Sequence, residues 1–373
     1  MSENPLLALH AAGQSIWFDY IDRAMLHDGE LARRIQSDAL TGMTSNPTIF
    51  EKALAQGTAY DAQLKDATGD RSAAALFELV ETDDVRAACD IFRPAYAAAD
   101  GADGFVSIEV SPGAAHDAEA TIAEAHRLWD TVERPNVMIK VPGTPEGEVA
   151  LRRLTADGVN VNVTLLFAVE AHSRIIDAYL AGLEDRVKAG GDVSRIASVA
   201  SFFVSRVDTE VDKRLETIGT PQAKTLLGQA AVANAKIAYA LFRERFAGPR
   251  WAALAAKGAR VQRPLWASTG TKNKAYSDVK YVESLVGPDT VNTLPPATLD
   301  AFRDHGRVGR TVDADVDAAR DALRALATVG VDLRAVTDQL LVEGLASFQK
   351  SFDTLIAGLG KKATALGRTL AVR

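Results

Sequence analysis

Eight short apolar runs, each closed off by turn-forming residues, recur along the chain at 15–20, 39–43, 105–110, 137–141, 159–163, 196–201, 264–268 and 290–294. Segments of helical period separate most of them. The stretch 118–132 puts Ile122, Ala125, Trp129 and Val132 on one face, and 169–183 does the same with Ile175, Ile176, Tyr179 and Leu183. Parallel strands cannot be joined by a tight turn, so regular strand-helix alternation implies parallel strands with crossover helices. Eight such units predict an α/β fold, a closed (β/α)8 barrel rather than an open sheet.

About sixty residues separate the second and third runs, and a similar stretch separates the sixth and seventh, longer than one crossover helix requires. Both gaps read as added helices, 47–64 with 73–96 after the second strand and 207–246 after the sixth. A helical extension over 312–366 ends in LVEGLASFQKSFDTLIAGL, whose Leu, Phe and Ile spacing suits a helix packed against the outside. No fixed repeat or low-complexity linker divides residues 1–373, so one barrel domain is expected. With 47% hydrophobic and 24% charged residues the chain can bury a large core.

A net charge of -7 and the lack of a basic stripe exclude nucleic acid as the expected partner, while leaving room for a small anionic substrate. The single cysteine, Cys89, offers no disulfide framework or cysteine metal site. The six histidines (His10, His27, His116, His126, His172, His305) are scattered, form no ligand pair and read mostly as surface residues, so no metal is expected. No apolar run reaches the roughly 18 residues of a membrane span and no leader is visible, so the expectation is a cytoplasmic protein with no membrane partner. There is no G-x-G-x-x-G after a strand, no G-x-S-x-G and no GxxxxGK[ST], which removes dinucleotide, serine-hydrolase and nucleoside triphosphate readings.

In a barrel the strand C-termini and the loops after them form the reacting face. The polar residues there are Asp19, Asn46, Glu109, Lys140, Asn162, Thr164, Ser201, Arg206 and Ser268. Lys140 stands inside NVMIKVPGTPEG, an otherwise apolar strand, where lysine is rarely buried without a purpose or a partner. Burial disfavours the ammonium and leaves an amine able to add to a ketone and form a Schiff base; a surface lysine lying along an edge strand is the plain alternative. Glu109 in FVSIEV and Asp19 in SIWFDY are single acids in apolar strands, suited to moving the protons of such a reaction or to an ordinary ion pair with Lys140.

Asn160, Asn162 and Thr164 alternate in GVNVNVTLLF and so share one face of a strand, with Asn160 equally suited to satisfying backbone groups. Ser201 and Arg206 in ASVASFFVSRVD lie where a helix N-terminus favours anions. After the seventh strand, STGTKNKAYSD places Ser268, Gly270, Lys272 and Lys274 where barrels commonly hold phosphate.

Taken in order, TSNPTIF, FVSIEV, NVMIKVPGTPEG, NVNVTLLF, ASFFVSRVD and WASTGTKN resemble the motifs of transaldolase, in its longer bacterial form, over roughly residues 15 to 350. The resemblance implies a class I aldolase-type TIM barrel with additional helices. It implies transfer of a dihydroxyacetone unit from sedoheptulose 7-phosphate to glyceraldehyde 3-phosphate, giving erythrose 4-phosphate and fructose 6-phosphate in the pentose phosphate pathway, with no cofactor. Position by position, Lys140 corresponds to the Schiff-base lysine, Glu109 to the acid-base group acting through a water held with Thr164, and Asp19 to the base for the substrate hydroxyl. Asn46, Asn162 and Ser201 correspond to residues holding the dihydroxyacetone moiety, and Arg206 and Ser268 to phosphate ligands. Gly270 stands where many members carry a second phosphate-binding arginine, and Lys272 is the candidate substitute. The partners implied are phosphorylated sugars, with a homo-oligomer left open. An aldolase that releases free dihydroxyacetone, and a catalytically silent sugar-phosphate-binding barrel, are the alternatives.

Overall fold

The computed structural model describes residues 4–55, 57–69 and 71–371. Eight parallel strands close into a barrel in sequence order: β1 (Gln14–Asp19), β2 (Leu40–Thr44), β3 (Phe105–Glu109), β4 (Val137–Pro142), β5 (Val161–Leu166), β6 (Ser198–Phe203), β7 (Gln262–Ala267) and β8 (Thr290–Leu294). The predicted runs and the strands agree in number and order. The largest offset is at β5, which starts later because the Asn160 amide donates to the carbonyls of Pro135 and Val137 while its oxygen accepts from the Ala197 N–H. That residue therefore ties three segments together at the strand entrance, the backbone role left open above.

The expected helical blocks divide where the chain needs a left-handed residue. The 47–64 block is two helices, Pro47–Ala55 and Asp61–Asp66, with Gly57 at φ +93° between them. The 207–246 block is Ser205–Ile218, Pro221–Thr225 and Ala230–Arg245, and the final block is Val316–Thr328 and Leu333–Ala365.

Strand residues pointing outward, among them Ile16, Phe18, Met43, Ile108, Ile139 and Val163, join the surrounding helices in one large apolar core. The inward set forms a separate cluster in which Trp17, Phe105, Met138, Val199, Leu265 and Val291 fill the lumen. Gly42 makes room for this filling, since a Cβ there would sit 2.5 Å from the Trp17 indole nitrogen. Below the plug, the buried Asp103 accepts from Ser15 Oγ, from Trp17 Nε1 at 3.0 Å and from the Gly104 N–H at 3.1 Å, and lies 3.4 Å from Arg263 Nη2.

Most of the histidines lie at the surface as expected, but one does not, and one helix departs from the outward packing its apolar spacing suggests. His172 is fully buried in the Val169–Lys188 helix against Phe202, with no partner on either ring nitrogen among the described residues, because its helical position faces the sheet rather than solvent. The Leu333–Ala365 helix does not simply lie on the outside. Gly344, Ser347, Phe348 and Ser351, at i, i+3, i+4 and i+7, face the C-terminal mouth of the barrel and roof it. Only the large apolar residues of that helix suggested an outward packing; the small-residue face was the missing signal.

Candidate active site

Above the apolar plug the lumen turns polar. Strand register sets the groups side by side: Glu109 pairs with Lys140 across β3 and β4, Lys140 with Asn162 across β4 and β5, and Asp19 with Thr44 across β1 and β2. A cavity of 390 Å³ opens at the strand C-termini, a size suited to a sugar phosphate. Asp19, Asn46, Glu109, Lys140, Thr164, Ser201, Arg206, Ser268 and Lys272 all line it.

Lys140 is 7% exposed, so the edge-strand reading of a lysine in water does not describe it. Its Nζ donates to Glu109 Oε2 at 2.9 Å and to the Ser45 carbonyl at 3.0 Å. Burial alone was expected to yield the amine; the neighbouring carboxylate adds a direct route. One proton crossing that contact turns ammonium and carboxylate into amine and carboxylic acid. Burial raises the Glu109 pKa, partly offset by the charge and hydrogen bond of Lys140, with Asp19 raising it further. Asp19 is likewise raised, chiefly by burial, against the opposing charge of Lys140 and a 2.8 Å hydrogen bond from Thr44 Oγ1. Two carboxyls with raised pKa values beside one amine are suited to taking and giving protons.

Asn162 is the predicted contact that does not reach the cavity wall. It lies fully buried one layer below, donating to Ser107 Oγ at 3.0 Å and accepting from Ser201 Oγ at 2.7 Å, and so fixes the Ser201 hydroxyl from beneath. Asn46 caps the Pro47–Ala55 helix through its side-chain oxygen, which accepts from the Ile49 N–H at 3.1 Å. Arg206, in the first turn of Ser205–Ile218, stacks 5.1 Å from the Phe203 ring centre and has no anionic side chain bonded to it among the described residues. Burial lowers its pKa, with Glu343 acting the other way. No side chain caps that helix start, so its first N–H groups add to the pull on an anion.

Ser268 holds φ +56° and Leu165 φ +61°, two left-handed non-glycine residues on the cavity wall. Ser268 is locked by accepting the Ser205 N–H at 3.1 Å. Gly270 also lines the cavity, and Lys272 supplies a cation on the same side. Lys52, Thr44 and Thr293 were missed by the sequence reading although all three line the cavity. Thr44 ends β2 and Thr293 is next to last in β8, so both were within reach of the strand-end rule; Lys52 is carried by an added helix that no barrel rule positions.

A buried amine beside two carboxyls, with cations lining the same cavity, is an arrangement suited to imine chemistry on an anionic carbonyl compound. A family model described as Transaldolase/Fructose-6-phosphate aldolase matches residues 16–359. Proteins named Transaldolase from Mycolicibacterium smegmatis (50% identical, covering 95% of this chain and 97% of that one), Thermobifida fusca (51%; 97% and 99%) and Frankia alni (49%; 98% and 98%) are similar over nearly their whole lengths. The chain belongs to the transaldolase/fructose-6-phosphate aldolase family.

Proposed function

We propose that this enzyme transfers a dihydroxyacetone unit between phosphorylated sugars, from sedoheptulose 7-phosphate to glyceraldehyde 3-phosphate, through an imine on Lys140. The observation that carries the reading is the buried Lys140 amine held 2.9 Å from Glu109 in one cavity with Asp19. Glu109 takes a proton from Lys140, whose lone pair then attacks the ketone carbon. Glu109, with a water shared with Thr164, returns the proton to the carbinolamine hydroxyl, which leaves as water. Asp19 removes the proton of the hydroxyl carried by the far carbon of the bond to be cut, which becomes the aldehyde carbon. That bond breaks, its electron pair moves into the imine as an enamine, and the aldehyde departs. An acceptor aldehyde reverses these steps, and water then frees the product from Lys140.

Asn46 and Ser201 hold the dihydroxyacetone hydroxyls, with Asn162 setting Ser201 from below. Arg206, Ser268 and Lys272, joined by Lys52, take the phosphate. A lone buried thiol at Cys89 suits a reducing, cytoplasmic setting. The roof provided by Gly344, Ser347, Phe348 and Ser351 favours transfer over release, because it closes the pocket's front to bulk solvent while the enamine awaits an aldehyde.

Borohydride reduction with fructose 6-phosphate, followed by peptide mapping, tests the reading. A dihydroxyacetone-derived adduct on Lys140 is expected, and an unmodified lysine would favour a silent binding barrel. Release of dihydroxyacetone without erythrose 4-phosphate or another acceptor would instead identify an aldolase.

A further inference from the structure

A second cavity, of 410 Å³, adjoins the sugar pocket, and Pro47, Glu109 and Phe348 line both, forming the partition between them. On its wall stands Glu81, from the Ala73–Ala98 helix, only 5% exposed and without a hydrogen-bond donor or ion-pair partner among the described residues. The charged groups around it are Glu78 on its own helix, Glu109 on β3, Lys140 on β4, Glu124 and Arg127 on the Ala118–Val132 helix, and Asp353 on the last helix. Arg127 is already engaged by Glu78 and Glu124, so it does not neutralise Glu81. Burial, reinforced by the negative charges of Glu109, Glu124 and Glu78 and opposed by that of Lys140, pushes the Glu81 pKa well above the ordinary carboxylate value and so favours its protonated form. A protonated carboxyl both donates and accepts, which is what a passing water molecule requires. The surrounding acids do not form a cation site: among the described residues no three His, Cys, Asp or Glu are arranged to hold a metal ion.

The proposed reaction needs such a place. When the carbinolamine C–O bond breaks, the electron pair leaves with oxygen and a proton from Glu109 completes one water molecule beside that residue. Hydrolysis of the final imine needs one water back at the same point. At both moments the sugar fills the front pocket under its helical roof. We propose that the cavity behind Glu109 is the passage by which this water leaves the reacting centre and returns, with Glu81 as the positioning group that hydrogen-bonds it there. This role rests on the imine chemistry proposed above.

In water enriched in oxygen-18, fructose 6-phosphate incubated with the enzyme and no acceptor exchanges its ketone oxygen whenever an imine forms and is hydrolysed by outside water. Mass spectrometry reads this above the uncatalysed rate. Glu81→Leu is expected to lower the exchange about tenfold, the loss of one good hydrogen bond along the path. The sugar KM stays the same and the thermal midpoint holds or rises, since an unpartnered buried carboxyl has been removed. Glu81→Gln keeps a donor and an acceptor and restores exchange to within about threefold. Wild-type exchange in Glu81→Leu overturns the proposal, as does an equal loss in both variants. If Glu81→Leu does not fold, Ala75→Phe, which narrows the same cavity from another position, must give the same loss. Borohydride trapping separates the two levels of failure. A wild-type enzyme with no Lys140 adduct sinks the imine chemistry and this role with it, whereas an adduct together with unchanged exchange in the variants sinks the passage alone.

Discussion

The two ends of the barrel lumen bury charge in opposite ways. At the floor, Asp103 receives hydrogen bonds from Ser15, Trp17 and the Gly104 N–H, and Arg263 closes the set. At the mouth, among the described residues, Asp19 has one hydroxyl donor, Arg206 has an aromatic face and no anion, and Lys140 divides its Nζ donors between Glu109 and the Ser45 carbonyl. Satisfied buried groups rigidify a fold, while groups left short of partners keep their capacity for a ligand. Six apolar side chains separate the two ends, so a change at one should leave the other's function untouched.

The sharpest way to break this contrast is at the mouth. Lys140→Met should abolish transfer, lowering kcat by on the order of 10⁴ or more, while thermal unfolding shows no loss of stability. A comparable loss of stability would mean that Lys140 is a structural partner of Glu109. At the floor the reverse is expected. Asp103→Ala leaves the Trp17 N–H and Arg263 without their acceptor and should cost about 3–5 kcal/mol in denaturant unfolding. The protein that remains folded should keep its kcat.

His172 sharpens the comparison, because it is a buried group lacking partners that lies away from the mouth. Burial pulls its pKa down to about 4 from 6.5, so the folded chain resists protonation that the unfolded chain accepts. Stability is therefore lost as pH falls from 6.5 toward 4. At pH 4.5, two units below 6.5, His172→Phe should be more stable than wild type by about 2.5 kcal/mol relative to its difference at pH 7.5, read by urea unfolding at both pH values. Equal pH dependence would show that the ring finds a partner on protonation. The smallest effect is expected at the roof. A Cβ at Gly344 would stand 3.1 Å from Leu165 Cδ2 and 3.8 Å from Arg206 Nη1. Gly344→Ala should raise the sugar KM a few-fold, about 1 kcal/mol, with kcat little changed.

The barrel was legible because strand and helix periods are local properties, and eight alternations of them leave few topologies open. The mouth was legible for a related reason. A lone Lys140, Glu109 or Asp19 in an apolar run marks a strand end, and strand ends converge in this architecture. What escaped depended on long-range packing. Asn162 obeyed the alternation rule yet lies one layer too deep, because its carboxamide is consumed by Ser107 and Ser201. Lys52 and the 344–351 face arrive from helices added to the barrel, and Glu81 is one acid among several on a helix whose inward face no local pattern marks.

The order of the chain gives the roof a temporal meaning. β1 through β5 carry Asp19, Glu109, Lys140 and Thr164, and all of them leave the ribosome well before the Leu333–Ala365 helix exists. A chain still being made thus holds its reacting groups with nothing above them. The cover over the pocket is therefore the last part of the site to be made.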